Sequence, residues 1–222
     1  MSSDQLERVL AHQQVYVPRR IGIDTIGSGK HLGLAVAARL GRRLTVLAPN
    51  RSSTMQHPEL ARLDVVTERS GRLNDGGVVL AWCPTYKVME KIQHLEQSVV
   101  VLVEWIPGEF DAWAKIHQAY NVATWQVMDT GLDEKAVDAL DAIVSEGYNG
   151  WHDDIARRIV RRSLEGLADA RVYDRGLVLA WARRTKSEFS LKALDKILDR
   201  FEESRPAPDS PPGSPAITTL KW

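Results

Sequence analysis

The chain contains one cysteine, Cys83, which excludes an internal disulfide framework and suits a reducing interior. It also lacks any excess of charge: twenty-nine basic and twenty-nine acidic residues cancel. The whole-molecule field therefore offers no attraction to nucleic acid or to a membrane surface. No apolar run approaches the roughly 18 residues that a membrane-spanning helix needs. The opening residues Met1-Ser2-Ser3-Asp4-Gln5 are polar and acidic, unlike the basic start of a secretory leader. A soluble cytoplasmic protein is the expectation. The six histidines show no H-x-x-x-H spacing, there is no C-x-x-C pair, and no metal site is expected. Internal repeats are absent as well.

What is present is an ordinary globular composition, 44% hydrophobic and 26% charged over 222 residues, with room for one full domain and a smaller one. The charge is unevenly spread. Residues 1–127 carry fourteen basic and twelve acidic side chains, residues 128–150 one and six, and residues 151–204 twelve and ten. The acidic segment marks a change of character. The expected division is an α/β domain over 1–127, a helical domain over 128–204, and a disordered proline-rich tail over 205–222.

Within the first part, short β-favouring runs alternate with helical patterns. Val78–Trp82 and Val99–Val103 are continuous apolar runs, the pattern of strands buried on both faces. Tyr86 to Leu95 and Phe110 to Ala119 read as helices, and Val122 to Val127 as a further strand. This alternation predicts a three-layer parallel sheet, RecA-like or Rossmann-like, followed by a small all-helical domain. Val15-Tyr16-Val17 is β-favouring, but Pro18 would confine it to a sheet edge. In the second part, Asp133–Glu146 should be a helix ended by Gly147, and Asp153–Leu167 is amphipathic. Asp174 and Ser190 should cap two more helices.

The chain is organised around Ile21 to Gln56. Ile21-Gly22-Ile23 reads as a strand, Asp24 to His31 as a glycine loop, Leu32–Leu40 as a helix and Leu44–Leu47 as the next strand. Glycines let backbone N–H groups approach an anion, and a helix N-terminus adds partial positive charge there. Gly27, Ser28, Gly29, Lys30 and His31 are therefore the candidate phosphate-binding residues. Gly27-x-Gly29-x-x-x-Gly33, with Asn50-Arg51-Ser52-Ser53 after the second strand, also admits an NADP-binding Rossmann reading, with Arg51 toward the 2′-phosphate.

The order of four segments resembles the first RecA-like lobe of superfamily-two, DEAD-box-type helicases. These are Gly27-Ser28-Gly29-Lys30, then Ala48-Pro49-Asn50-Arg51-Ser52-Ser53-Thr54-Met55-Gln56, Leu80-Ala81-Trp82-Cys83-Pro84-Thr85, and Val99 to Glu104. The resemblance implies ATP or ADP at the glycine loop, Glu104 as the catalytic acid and Arg51 near nucleic acid. The departures carry equal weight. His31 stands where that family has a Mg²⁺-ligating Ser or Thr, and Glu104 has no acidic neighbour. With a single lobe, no partner arginine reaches a transition state. The implied protein is a nucleotide-binding, helicase-derived accessory factor with weak or no hydrolysis. An interaction module that keeps only the fold is the further alternative.

Arg157, Arg158, Arg161 and Arg162 recur at a spacing of four and form a basic strip suited to a phosphate backbone, or to a solvated face balanced by Asp153, Asp154 and Glu165. Cys83 is expected to be a small buried residue rather than a nucleophile. The terminal Ile217 to Trp222, on its proline-rich spacer, reads as a docking peptide for a protein partner or as a frayed end.

Overall fold

The computed structural model describes residues 2–21 and 24–205. Among them, seven strands form one sheet in the order β3-β2-β4-β5-β1-β6-β7. The strands are β1 Gln14–Val17, β2 Leu44–Ala48, β3 Asp64–Thr67, β4 Val78–Trp82, β5 Val99–Val103, β6 Tyr120–Asn121 and β7 Gln126–Val127. Neighbours pair in parallel except at one edge, where β7 returns antiparallel to β6.

Alternation along the strands builds two layers. Val15, Val17, Val46, Val78, Leu80, Trp82, Val101 and Val103 meet α1 (Ser3–Leu10), α2 (Thr25–Leu40) and α3 (Pro58–Ala61) on one face. Tyr16, Leu47, Val79, Ala81, Val100 and Leu102 meet α4 (Tyr86–Met89) and α5 (Asp111–Ile116) on the other. Strands covered on both faces must be apolar throughout, which explains the runs in β4 and β5.

Four longer helices follow: α6 Glu134–Ser145, α7 Asp154–Asp169, α8 Arg175–Arg183 and α9 Glu188–Glu203. They enclose a cluster of their own around Leu140, Ile143, Trp151, Val160, Leu164, Leu194 and Leu198. Trp151 is buried there and donates its indole N–H to the Ile143 carbonyl at 2.8 Å. Among the described residues, no helix is long and apolar enough to cross a membrane.

Several local expectations are corrected. β1 is internal, between β5 and β1's other neighbour β6, because Pro18 falls after its last paired residue and removes no ladder hydrogen bond. Ile21 is exposed in a turn, and Gly22 and Ile23 lie outside the described residues, as does the tail from residue 206 on. The strand expected over Val122–Val127 is a two-residue hairpin pair instead. Gly147 does not stop α6 in a left-handed turn; Gly150 takes that conformation, at φ 75°. Gly147 is small because a Cβ there would stand 2.3 Å from the Trp151 ring. Ser187, not Ser190, caps α9, its side chain accepting the Ser190 N–H.

The largest correction concerns the glycine loop, which is helix. Asp24 caps α2, its side chain accepting the Gly27 N–H at 2.8 Å, and Thr25 onward is helical. The glycines serve close packing. A Cβ at Gly29 would stand 2.6 Å from Val103 Cγ2 on β5, and one at Gly33 would stand 2.9 Å from Leu80 Cδ1 on β4. One turn of helix thus carries α2 from one strand to the next as it crosses toward β2. The strand order also departs from the Rossmann order, in which β1 lies beside β2. Here β5 and β4 intervene.

This packing makes a stability test. Gly29→Ala and Gly33→Ala should each lower unfolding free energy by about 1–2 kcal/mol, overpacking outweighing the gain in helix propensity. Gly166→Ala should instead raise it by about 0.5–1 kcal/mol, since nothing lies within 4 Å of a Cβ at that position in α7. Urea melts read both signs.

Candidate functional site

In a parallel sheet covered on both faces, ligands collect at the carboxyl ends of the strands, where connections leave in opposite directions. Here β1 continues into α2 on one face, while β5 continues into α5 on the other. The segments that resemble helicase motifs lie on this edge: Ala48 to Met55 after β2, Cys83 to Thr85 after β4, Glu104 after β5, with the start of α2 above β5.

Glu104 lies at the centre of that edge and is almost wholly buried. Its Oε1 accepts the Phe110 N–H at 2.9 Å and the Tyr16 hydroxyl at 2.7 Å, and its Oε2 accepts the Arg19 N–H at 2.9 Å. Tyr16 also lies 2.8 Å from Asp111 Oδ1, so one hydroxyl hydrogen stands between two carboxyl groups. Burial, and then Glu104 and Asp111, push the Tyr16 ionisation far above its usual range. Glu104 thereby ties the end of β1 to the loop before α5. In this arrangement the carboxyl oxygens are occupied by the protein's own donors.

Around this knot, the Arg19 guanidinium lies 5.0 Å over the exposed Trp105 ring. Cys83 follows β4 with a left-handed φ of 45°, its N–H donating to the Val103 carbonyl at 2.9 Å. Burial pushes its thiol up to about 11, against the opposing influence of Arg19. Burial, followed by Glu104, also raises the Glu109 carboxyl.

The residues read as a phosphate loop are turned three ways by the helix. Gly29 is buried against Val103, and the half-buried Gly27 lies against the Asp24 carboxylate. Lys30 reaches across to α3 and pairs with Glu59, whose carboxyl it holds below the usual range. Ser28 and His31 turn the opposite way, into a cavity of about 460 Å³ with Gln5, Val17, Leu32, Ala35, Val122 and Trp125. The first turn of α2 is already occupied: the Asp24 carbonyl accepts both the Ser28 N–H, at 3.2 Å, and the Ser28 hydroxyl, at 2.8 Å.

Sequence reasoning missed Gln5 and Trp125. Trp125 is held at φ 59°, a costly conformation for a bulky residue, with its N–H donated to the Asn121 carbonyl at 2.8 Å. Its ring meets Tyr120 edge-on at 6.4 Å, and Tyr120 stacks on His12 at 4.4 Å. Only its aromatic character marked it in the sequence.

Arg51 begins the short 3-10 turn after β2, exposed, three strand positions from β1. It is therefore not brought beside Ser28 and His31. Arg157, Arg158, Arg161 and Arg162 are exposed on α7, with Arg157 3.3 Å from Asp154 and Arg161 3.0 Å from Glu165. Among the described residues, no group of acidic, histidine or cysteine side chains could hold a metal ion. The sequence matches no protein-family model, and no curated protein or solved structure matches it.

Two measurements follow from the edge. Glu104→Gln places an amide N–H against a backbone donor, so it should lower unfolding free energy by about 1–3 kcal/mol in urea melts. A residue whose role were only catalytic would leave stability unchanged. The second concerns Cys83. Its native ionisation, near 11, is raised above the unfolded value, so the stabilisation is present below about 9 and is lost as pH rises toward 11. Iodoacetamide at pH 8 should accordingly label native Cys83 at least about tenfold more slowly than the urea-unfolded chain.

Proposed function

We propose that this protein binds a nucleoside-class ligand, a planar nitrogenous ring with a hydroxylated sugar, and does not turn it over. The observation that carries the reading is the cavity beside α2. Its volume suits a small organic ligand, and its lining is mostly apolar with a few convergent polar groups. Trp125 offers an aromatic wall for a flat ring, with Val17, Leu32 and Val122 completing the apolar surface. Gln5 already uses its Oε1 to accept the Ser2 N–H, which leaves its amide hydrogens for a ligand. The Ser28 hydroxyl hydrogen is spent on the Asp24 carbonyl, which leaves its oxygen as an acceptor. His31 adds a ring nitrogen of either sense.

Phosphate groups are the part of a nucleotide this reading leaves outside. The Asp24 carboxylate fills the helix N-terminus where a phosphate would sit, and Lys30 is engaged by Glu59. An ATP or ADP molecule would be held by its base, with little dependence on Mg²⁺. The enclosed Glu104, its carboxyl oxygens taken up by the Phe110 and Arg19 N–H groups and the Tyr16 hydroxyl, supports binding without hydrolysis. An accessory role, rather than a motor's, follows from that.

Thermal-shift measurements with adenosine, guanosine, ATP, ADP, NADPH and NADH, each with and without Mg²⁺, test the assignment. A nucleoside at about 100 times its dissociation constant should stabilise the fold by about 2.7 kcal/mol. Ala35→Trp, which fills the cavity, should abolish the shift while the protein stays folded. A shift given only by triphosphate with Mg²⁺, and lost in Lys30→Ala, would replace this reading with a phosphate grip. A shift given only by NADPH and lost in Arg51→Ala would favour the dinucleotide. No shift from any of them would end the proposal.

A further inference from the structure

Helix α9 places most of its charges on two faces. Asp195, Asp199 and Glu202 recur at one-turn intervals and converge on Arg175 of α8. Its guanidinium lies 2.6 Å from Asp195 Oδ1, 2.6 Å from Asp199 Oδ1 and 2.7 Å from Glu202 Oε2. Lys192, Lys196 and Arg200 also recur every four residues, on a different face. Among the described residues none of these three has a carboxylate within 4 Å, and all three are exposed.

This basic face borders a groove against α7. A depression of about 400 Å³ is lined by Trp151, His152, Arg157, Phe189 and the three α9 cations, among others. It shares Arg157, Ile197 and Arg200 with a second depression of about 150 Å³ that adds Arg161 and Phe201. Five cations thus line one continuous groove, and no carboxylate lines it among the described residues. The sequence strip is divided by the helix: Arg157 and Arg161 face the groove, while Arg158 and Arg162 are not part of its lining.

We propose that the α7–α9 groove binds single-stranded nucleic acid. Cations at intervals of one helical turn, about 6 Å of rise, can follow successive phosphates along a strand. The floor is apolar, at Ala193 and Ile197, and Phe189 stands 83% exposed at the rim with Lys192 5.9 Å from its ring. Unstacked bases use such surfaces; a duplex, with its bases enclosed, and an acidic peptide do not. Charge complementarity accounts for the cations, and the exposed ring selects the strand whose bases are free. This site is separate from the cavity beside α2 and stands or falls independently of it.

Fluorescence anisotropy on the full chain, with labelled oligothymidylate and oligouridylate of about 20 nucleotides, reads the proposal. Lys196→Gln with Arg200→Gln should weaken binding at least about tenfold and flatten the dependence of log K on log salt by about 1.4, near 0.7 per cation. Arg158→Gln with Arg162→Gln, equal in charge and outside the groove, should change affinity by no more than about twofold. Phe189→Ala should weaken oligonucleotide binding and leave inorganic polyphosphate binding unchanged, whereas Ala35→Trp should affect neither. Equal losses from the two double variants would overturn the site. Duplex affinity equal to that of the single strand, with Phe189→Ala silent, would overturn the choice of partner. So would the absence of binding at low salt, or capture of polyglutamate as tight as that of the oligonucleotides.

Discussion

Helix α2 approaches the sheet more closely than any side chain would allow at two of its turns. Gly29 rests against Val103 and Gly33 against Leu80, and the remainder of the α2 geometry is set by that contact. Once position 29 faces the sheet, the helical rotation of about 100° per residue leaves its neighbours no choice. Ser28 is carried toward β6 and the Trp125 turn, and Lys30 toward β2 and Glu59. A larger residue at either glycine would lift the helix and open the layer that Leu32 and Val36 fill.

A second constraint is electrostatic and lies beneath the first. Glu104 is a buried acid, tolerable only because two backbone donors and the Tyr16 hydroxyl satisfy it. The result is a firm edge where an α/β protein commonly keeps its mobile, reactive groups. Cys83, with its raised thiol, and the enclosed tyrosine belong to the same quiet surface. Polar side chains with bonding capacity to spare line the cavity to one side, at Gln5, Ser28 and His31, where three elements meet around an aromatic wall.

The two continuous apolar strands and the helices of the second part were legible because their signals are local and repeated: runs such as Val99–Val103, a cap such as Asp174, apolar residues every three or four positions. The glycine segment misled because glycine has two uses. It permits unusual backbone angles, and it removes volume; a sequence shows the residue without showing which use applies. Asp24, an N-cap that accepts Gly27 N–H, was the local sign that the segment is helix. Pro18 misled similarly, since one residue decides whether proline breaks a ladder or follows it. The α9 cations were readable in principle, at intervals of four, but their separation from Asp195, Asp199 and Glu202 depends on Arg175, twenty or more residues earlier. Gln5 and Trp125 had no shared signal, because the turn after β6 joins α1 only through tertiary structure.

The end of the sheet bears on how the protein behaves in company. A parallel sheet that stopped at β6 would present a row of open hydrogen-bonding groups, ready to recruit a strand from another molecule. β7 answers β6 with two residues, Gln126 and Val127, in the opposite direction, and both face water on short backbone. Two residues are too few to template a further strand, and the strained Trp125 turn just before them bends the chain away from a flat continuation. The hairpin thus works as a terminator at this end of the sheet, whose other edge is the four-residue β3.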